Sequence, residues 1–379
     1  MRILLLNYEF PPLGGGAGRA TFHLAHGLVE RGHRVRIVTS RWREHEPWAV
    51  AGATLDAVPT ARRGIHECGL RGAAQYVLRA RELLRHIIRE ERFDVSHSFF
   101  SLPTGPLSLW LKTKIGLPYI VSLRGSDVPG YDPYAEQVTH KLLLPLTRRI
   151  WREAHRTVPN SHGLRELAQR TLPDCEMEVI YNGIDASLFR PLVPYGQRPV
   201  PPLRILCVSR LLERKGIHVL LEAFSRVVTP EVLLTIVGEG GYEQRLRELT
   251  GQLGLEAAVD FAGYIPNERM PQVYSEAHIF ALPTEAESFA MVFPEAMACG
   301  LPIVSSTAGA VPEIVRDGEE GLLVPAGDVE ALAEALQRLL EDEPLRTKMA
   351  HNARQRAETC FTWDAVVNAY EQLYYSATS

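Results

Sequence analysis

Short apolar runs alternate with longer amphipathic stretches along the whole chain. The apolar run Arg2–Asn7 predicts a buried strand, the spacing of apolar positions over Ala20–Arg31 predicts a helix, and Val35–Thr39 predicts a second strand. Gly32 is the kind of residue that ends a helix. The same strand–helix–strand order recurs downstream. This alternation predicts an α/β fold in which parallel sheets are covered by helices on both faces.

A proline-rich segment divides this pattern into two series. Pro191–Pro202 holds five prolines in twelve residues, which is typical of an extended linker. A new strand is predicted directly after it, at Arg204–Ser209, and the series ends with an amphipathic stretch over Trp363–Tyr375. We therefore predict two doubly wound domains, over residues 1–190 and 203–361, joined by the linker 191–202.

Composition excludes several classes of protein. The chain has 379 residues, of which 46% are hydrophobic, so it can bury two cores. No apolar stretch reaches the roughly 18–20 residues that a membrane span needs. The five cysteines are scattered, odd in number and without Cys-x-x-Cys spacing. This usage predicts a reducing, cytoplasmic location and neither a disulfide framework nor a zinc site.

Charge is distributed unevenly between the two series. Residues 1–198 hold 27 Lys and Arg against 19 Asp and Glu, a net charge of +8, and the remaining residues carry −12. Arginines are concentrated in two predicted helices of the first series, Gly72–Glu91 and Lys141–Arg156. Such faces are either simply solvated or dock to anionic lipid headgroups or to a phosphate-bearing acceptor.

The stretch Pro283–Pro302 combines several signals for a ligand site. It follows the apolar run His278–Leu282, and its pattern predicts a strand, a polar loop and a helix that Gly300 ends. Glu287 lies in the loop and Glu295 on the helix. Free N–H groups at a helix start attract anions, and the two carboxylates can accept hydrogen bonds from hydroxyls. A nucleotide-sugar carries both kinds of group.

Two other interpretations of Glu287 and Glu295 remain open on the residues alone. The pair could be the acid and base of a glycoside hydrolase, but eight helical residues span about 12 Å, and hydrolase pairs lie roughly 5–9.5 Å apart. The pair could also be purely structural, with one solvated carboxylate and one favoured by the helix dipole. Two separate acceptors for sugar hydroxyls fit the spacing better than a catalytic pair.

A glycine-rich turn follows the first predicted strand. Gly14, Gly15, Gly16 and Gly18 precede the helix, which suggests a dinucleotide fingerprint. The fingerprint is incomplete, because no Gly-x-Gly-x-x-Gly run closes with glycine. The turn is therefore either a plain flexible connection or a place where a ligand approaches the backbone closely.

Taken together, these motifs resemble those of the retaining glycosyltransferases of GT-B architecture, specifically glycosyltransferase family 4. The resemblance is carried over nearly the whole chain by Pro11–Gly15, Gly32-His33-x-Val35, Asn182–Asp185 with Phe189 and Pro191, Ser209-Arg210 with Lys215-Gly216, Glu287-x-Phe289, Glu295–Gly300 with Pro302, Gly309, Pro312-Glu313, Asp317-Gly318 and Gly321–Val324. The family implies two Rossmann-like domains that face each other across a cleft. It assigns the acceptor to the first domain and the nucleotide-sugar to the second, with the C-terminal helix, here 362–379, crossing back to the first domain.

The resemblance also implies roles for individual residues. Arg210 and Lys215 match the basic pair on the donor diphosphate, where positive charge stabilises the leaving group, and Glu287 matches the carboxylate that holds the hydroxyls of the donor sugar. The remaining donor-binding positions are the backbone N–H groups of Phe289, Ala290, Met291 and Val292, the ribose-binding Glu295, the base-contacting backbone of Ile265, and the phosphate-closing turn at Gly15 and Gly16.

The chain departs from the family on the acceptor side and in the amide loop of the donor side. The family often has His-Gly-x-Asp where this sequence has Arg124-Gly-Ser-Asp127. Arg124 either contacts phosphate or an acidic acceptor in place of the histidine or braces the loop. His97 is either near the acceptor or a satisfied core histidine. Ala290 replaces a common glycine, which makes the amide loop less permissive.

The resulting prediction is a retaining, hexosyltransferase-type enzyme. It moves a sugar from a UDP-linked donor to a hydroxyl acceptor, in cell-envelope polysaccharide or glycolipid synthesis. The family implies same-face attack, with the leaving phosphate taking the acceptor's proton, and therefore no cofactor and no metal. The expected partners are the nucleotide-sugar and a hydroxyl acceptor that is lipid-linked or anionic. A peripheral contact with the anionic inner face of the cytoplasmic membrane is also expected, and no nucleic acid. The alternatives are a nucleotide-sugar epimerase of the same fold and a non-catalytic sugar-nucleotide-binding partner.

Overall fold

The structure is a computed structural model that describes residues 1–65, 68–132 and 138–378. The chain divides into two compact units. The first unit comprises Met1–Gly183 together with Trp363–Ser379, and the second comprises Ile184–Thr362. No helix in the described ranges combines the length and the apolar character that a bilayer crossing requires.

The first unit is built on a sheet of six parallel strands. Its strands are β1 (Arg2–Leu6), β2 (Arg34–Arg41), β3 (Thr54–Pro59), β4 (Val95–Phe99), β5 (Tyr119–Leu123) and β6 (Arg156–Pro159). Its helices are α1 (Gly16–Glu30), α2 (Gly69–Glu90), α3 (Gly105–Ile115), α4 (Val138–Glu153) and α5 (His162–Thr171). The spatial strand order is β3-β2-β1-β4-β5-β6, the order of a Rossmann fold.

Strand β1 shows why this sheet needs helices on both faces. Successive side chains of a strand point to opposite faces, and all four apolar residues of β1 after Arg2 are buried. Ile3 and Leu5 belong to the core cluster that includes residues of α1. Leu4 and Leu6 belong to the cluster that includes residues of α2 and α3. An uninterrupted apolar run therefore produces a central parallel strand.

The second unit repeats the same architecture. Its strands are β7 (Leu203–Val208), β8 (Val232–Val237), β9 (Val259–Gly263), β10 (Ile279–Leu282), β11 (Ile303–Ser306) and β12 (Gly321–Val324), and its helices are α6 (Ile217–Val227), α7 (Glu243–Gln252), α8 (Met270–Glu276), α9 (Val292–Ala298), α10 (Val311–Ile314), α11 (Val329–Glu341) and α12 (Glu343–Cys360). The parallel strands lie in the order β12-β11-β10-β7-β8-β9. Two doubly wound parallel sheets confirm the predicted fold class.

The last helix, α13 (Trp363–Thr378), belongs to the first unit, as the resemblance implied. The Trp363 ring stacks on His23 of α1, with ring centroids 4.8 Å apart. Arg31 Nη1, just beyond α1, donates to Glu371 of α13 at 2.9 Å. A side chain at Gly27 would overlap Val367 of α13, so the two helices approach closely there.

The proline-rich segment 191–202, predicted as an extended linker, lies along the second unit. Tyr195 donates its hydroxyl hydrogen to the carbonyl oxygen of His278 at 2.5 Å. The buried Arg198 guanidinium donates to the carbonyl oxygens of Ala277 and Cys299. The segment is not extended throughout, because Tyr195–Gln197 form a short 3-10 helix. Polar and cationic side chains between the prolines dock the segment on the unit.

Candidate functional site

The strand order of the second unit brings two connecting loops to one edge of its sheet. Strands β7 and β10 are neighbours. The chain continues from β7 toward β8 on one side and from β10 toward β11 on the other. Connections that diverge in this way leave a crevice at the carboxyl ends of the two strands. The loop 209–216, after β7, and the loop 283–291, after β10, are those connections.

Arg214 fastens the two loops together. Its side chain is buried, and Nη1 donates to the carbonyl oxygen of Ala286 at 3.1 Å. Its own carbonyl oxygen accepts from the N–H of Glu285 at 2.8 Å. Gly216 has φ +66°, and a Cβ there would overlap the carbonyl oxygen of Pro283. The loops therefore approach too closely for any other residue at position 216.

Lys215 and Glu287 form a buried ion pair across these loops. Lys215 Nζ donates to Glu287 Oε2, and the two side chains are 9% and 6% exposed. Burial raises the pKa of Glu287, but the Lys215 ammonium, together with the Arg214 charge and the Ser288 N–H, holds this pKa below its ordinary range. Burial lowers the pKa of Lys215, and the charge of Glu287 opposes that shift. Two residues predicted from separate motifs thus meet in the structure.

The backbone around Glu287 fixes its position. The N–H of Ser288 donates to Glu287 Oε1 at 3.1 Å. The N–H of Ala310 donates to the Glu287 carbonyl oxygen at 3.2 Å. A carboxylate held by these bonds is already oriented before any ligand binds.

Arg210 lies on the same loop as Lys215 but is exposed. Its charge, together with that of Arg214, contributes to lowering the pKa of Lys215. Three cationic side chains within six residues therefore give the carboxyl end of β7 a positive field. An anion bound there would meet one exposed cation, Arg210, and two buried ones, Arg214 and Lys215.

The predicted amide loop leads directly into α9. Phe289 is buried and packs edge-on against Phe361, with ring centroids 5.7 Å apart. Ala290, Met291 and Val292 are half-buried, and Val292 is the first residue of α9. Ala290 has φ +51°, a left-handed conformation that costs a non-glycine residue about 1–2 kcal/mol. The substitution of the common glycine therefore carries backbone strain.

Glu295 and Ile265 both belong to the second unit. The Glu295 carboxylate is buried and accepts from the hydroxyl of Tyr274 at 3.0 Å. Ile265 is half-buried and follows β9. The N–H of Gly238 donates to the carbonyl oxygen of Gly263 at 2.8 Å and ties the ends of β8 and β9 together. Sequence reasoning missed Tyr274, because nothing in its local pattern points to a partner on α9.

In the first unit, the glycine-rich turn follows β1 and leads into α1. Gly15 is the residue before the helix, and its N–H donates to Glu9 Oε2 at 3.4 Å. The N–H of Gly14 donates to the carbonyl oxygen of Ile65 at 2.9 Å, which anchors the turn. A Cβ on Gly15 would meet no atom of the described chain within 4 Å. Gly15 and Gly16 therefore form an anchored turn with open space beside Gly15.

His97 is a satisfied core histidine in the structure. It is fully buried on β4, with Nδ1 2.7 Å from the Tyr374 hydroxyl and Nε2 2.7 Å from the Ser122 hydroxyl. Burial and the charge of Arg124 lower the pKa of His97 well below its ordinary value. Both ring nitrogens are therefore engaged, and of the two interpretations the structure favours the core one over contact with an acceptor.

Arg124 and Asp127 form a braced loop at the end of β5. Asp127 is buried and accepts from the N–H of Ser101 at 2.6 Å and the N–H of Arg124 at 2.8 Å. Burial raises the pKa of Asp127. The Arg124 guanidinium donates to Asn182 Oδ1 at 2.6 Å and lies 4.8 Å from the centroid of the Phe99 ring. Arg124 thus braces the loop and keeps part of its surface exposed.

The described residues contain no group of three or more His, Cys, Asp or Glu side chains arranged to hold a metal ion.

Family models match both units of the chain. Residues 14–188 match the model described as Glycosyltransferase Family 4, and residues 196–356 match Glycosyl transferases group 1. N-acetyl-alpha-D-glucosaminyl L-malate synthase of Bacillus anthracis is 24% identical over 380 residues, which cover 96% of this chain and 94% of that protein.

Solved glycosyltransferase structures are similar over the full length. Sucrose-phosphate synthase from Thermosynechococcus elongatus has a TM-score of 0.88 at 24% identity and covers 99% of this chain and 98% of its own. Anabaena Alr3699/HepE, solved in complex with UDP and glucose, has a TM-score of 0.76 at 21% identity and covers 99% and 100%. These similarities identify the two-unit α/β arrangement as the GT-B fold.

Proposed function

Because the chain belongs to glycosyltransferase family 4, and its second unit matches the group 1 model, we propose that it transfers a sugar from a UDP-linked donor to a hydroxyl acceptor. The transfer retains the anomeric configuration of the sugar. The observation that carries the proposal is the meeting of Lys215 and Glu287 at the carboxyl ends of β7 and β10, with Arg210 on the same loop. Cations for a diphosphate and a carboxylate for sugar hydroxyls are then adjacent.

The ion pair is also the place where a donor would bind. Lys215 would turn from Glu287 to the diphosphate, and Glu287 would accept hydrogen bonds from sugar hydroxyls in its place. Each buried charge then exchanges one partner for another, which avoids leaving a buried charge unpaired. Arg210, which is exposed, would add a second cation to the diphosphate from the solvent side.

The reaction follows from these contacts. The bond between the anomeric carbon and the phosphate oxygen breaks, and a bond from the acceptor oxygen to the same face of that carbon forms. The acceptor's hydroxyl proton passes to the departing phosphate oxygen, and Arg210 and Lys215 stabilise the charge that develops there. No enzymic nucleophile and no metal ion takes part in this scheme.

The assignment of the nucleotide rests on the other predicted donor-binding residues and on one similar solved structure. Glu295 would bind the ribose, the backbone at Ile265 would contact the base, and the N–H groups of residues 289–292 would face sugar and phosphate. Gly15 and Gly16 of the first unit would contribute the accessible turn. Alr3699/HepE was solved with UDP and glucose, which supports a uridine nucleotide for this chain.

Nucleotide release and product analysis test the proposal. The purified protein, incubated with UDP-, GDP- and ADP-linked sugars and a panel of hydroxyl acceptors, should release UDP only when an acceptor is present and yield a new glycoside of retained configuration. An epimerase would convert the donor sugar without forming a glycoside, and a non-catalytic partner would bind the donor without turnover. Either result would contradict the proposal.

Arg210 provides the sharpest variant. Arg210→Gln should lower kcat by about a hundredfold, because one transition-state contact to the diphosphate is lost. Arg338→Gln is the matched control, since Arg338 is an exposed arginine near the end of α11. Equal activity of both variants and the unmodified protein would contradict a contact between Arg210 and the diphosphate in the transition state.

The acceptor side of the proposal includes contact with an anionic membrane. On α2, Arg81, Arg85 and Arg89 are exposed, and Leu70 and Leu78 are about 70% exposed on the same helix. Basic and apolar side chains on one helix favour binding at a negatively charged lipid surface. This surface supports a lipid-linked acceptor in polysaccharide or glycolipid synthesis.

Vesicle pelleting tests this part separately. The protein should pellet with phosphatidylglycerol vesicles at low salt, less at high salt, and not with phosphatidylcholine vesicles. Replacing Arg81, Arg85 and Arg89 by Gln should abolish pelleting, whereas replacing Arg245, Arg247 and Arg338 of the second unit should not. No pelleting of the unmodified protein at either salt would remove the membrane from the proposal.

A further inference from the structure

A chain of buried hydrogen bonds connects α13 to the carboxyl end of β5. In the first unit, Arg124 Nη2 lies 3.2 Å from the Tyr370 hydroxyl, which lies 2.8 Å from the Ser122 hydroxyl. Ser122 lies 2.7 Å from His97 Nε2, and His97 Nδ1 lies 2.7 Å from the Tyr374 hydroxyl. Four of the five residues are buried, and Arg124 is partly exposed at one end.

Arg124 fixes the direction of the first hydrogen bond in this series. A guanidinium can only donate, so the Tyr370 oxygen accepts from Arg124. The single hydroxyl hydrogen of Tyr370 is then free to point to Ser122. We infer the arrangement in which it does so and in which Ser122 donates to His97 Nε2. Neutral His97 therefore carries its hydrogen on Nδ1 and donates it to Tyr374. Aligned hydrogen bonds polarise one another, so the chain strengthens the bond that Tyr370 accepts from Arg124.

The same chain restricts the Arg124 side chain. Asn182 Oδ1 accepts from Nη1, the Tyr370 hydroxyl accepts from Nη2, and the ring of Phe99 lies against one face of the guanidinium. Three contacts in different directions hold a planar group in one orientation. Tyr370 comes from α13, far along the sequence from β5, whereas Asn182 and Phe99 belong to the sheet and its connections.

We propose that Tyr370 is a positioning residue for the transfer reaction and that it acts by holding Arg124 at the acceptor side of the first unit. The inference rests on the proposed function and adds to it that the acceptor binds beside Arg124, just after the carboxyl end of β5. The C-terminal helix then contributes to acceptor use as well as to the core of the first unit.

Steady-state kinetics of a double-mutant cycle test the proposal. Tyr370→Phe should lower kcat/KM for the acceptor by about tenfold, which corresponds to the loss of one hydrogen bond to a charged group, and leave KM for the donor unchanged. In an Arg124→Ala background the same substitution should change kcat/KM by less than twofold, because its effect passes through Arg124. An undiminished tenfold loss in that background would overturn the inference.

Tyr374→Phe is the matched control. It also removes a buried hydroxyl from α13, but that hydroxyl contacts His97 rather than Arg124. Both variants should lower the thermal midpoint. Tyr374→Phe should change kcat/KM for the acceptor by less than twofold, because its hydroxyl lies at the far end of the series and reaches Arg124 only through weak polarisation. Equal kinetic losses in both variants would indicate a general effect of helix packing and would contradict positioning.

The tautomer of His97 gives a readout that does not need activity. Nitrogen NMR of histidine-labelled protein should show His97 neutral, with its hydrogen on Nδ1. If the unmodified protein transfers no sugar, the proposed function fails. The tautomer of His97 still shows whether the buried hydrogen bonds run in the direction that starts at Arg124. A hydrogen on Nε2 would mean that His97 donates to Ser122 and Ser122 donates to Tyr370, which contradicts the arrangement that we infer.

Discussion

Gly309 lies directly against the carbonyl oxygen of Glu287. A Cβ built on Gly309 would overlap that oxygen, and Gly309 has φ +56°. The next residue, Ala310, donates its N–H to the same oxygen at 3.2 Å. The connection after β11 thus supports the backbone of the Glu287 loop, and only glycine allows this approach.

Gly309→Ala should therefore destabilise the second unit and displace Glu287. We expect a loss of about 2–5 kcal/mol, from left-handed strain of about 1–2 kcal/mol plus overlap of about 1–3 kcal/mol. Gly318→Ala is the control, because Gly318 has φ +77° but no described atom within 4 Å of a Cβ. Calorimetry should show a larger fall in Tm for Gly309→Ala, and equal falls would refute the overlap.

The Lys215–Glu287 pair should behave as a unit in stability measurements. Lys215→Met leaves a buried carboxylate without its partner, which typically costs about 3–5 kcal/mol. At roughly 2–4 °C per kcal/mol for a unit of this size, Tm should fall by about 6 °C or more. The double variant Lys215→Met with Glu287→Gln should lose less than Lys215→Met alone, because no buried charge remains. Additive losses would show that the two residues are energetically independent.

Ala290→Gly should stabilise the protein. Ala290 has φ +51°, a conformation that glycine adopts without strain. We expect a gain of about 0.5–1 kcal/mol, since relief of strain exceeds the extra entropy of glycine in the unfolded chain. A rise in Tm of roughly 1–4 °C would agree with this value, and a fall in Tm would mean that the left-handed conformation carries no strain here.

Local signals account for the parts of the structure that the sequence predicted well. Pro283–Pro302 follows the apolar run His278–Leu282 and folds as a loop and a helix. The proline in the first turn and Gly300, with φ +70°, mark the start and the end of that helix. The parallel strands then bring Lys215 and Glu287 together through the known order of such sheets. The family resemblance assigned both residues to the donor, and the ion pair between them is a finding of the structure.

Contacts between distant elements account for what the sequence could not predict. Tyr274 reaches Glu295 from α8, a helix whose seven residues give too little periodicity to identify. His97 and Tyr374 are 277 positions apart, so neither local pattern indicates the other. Whether His97 faces a ligand or the core depends on α13, which is placed by tertiary packing. The role of Arg124 could not be chosen from sequence for the same reason.

His278 should make the second unit less stable at mildly acidic pH. It is buried at the start of β10, and Nδ1 accepts from the N–H of Arg204 at 3.1 Å. Burial, with the charges of Arg198, Arg346 and Arg204, lowers the pKa of His278 to about 4. The unfolded chain binds a proton near pH 6.5 and the folded chain does not, so stability falls as pH drops between those values.

His278→Asn removes this titration and keeps an acceptor for the Arg204 N–H. The free energy of unfolding of the variant minus that of the unmodified protein should therefore increase by about 1.4 kcal/mol per pH unit as pH falls from 6.5 toward 5. Calorimetry at several pH values measures this slope, which does not depend on any constant cost of the substitution. Parallel pH profiles of the two proteins would mean that His278 is protonated in the folded state as readily as in the unfolded chain.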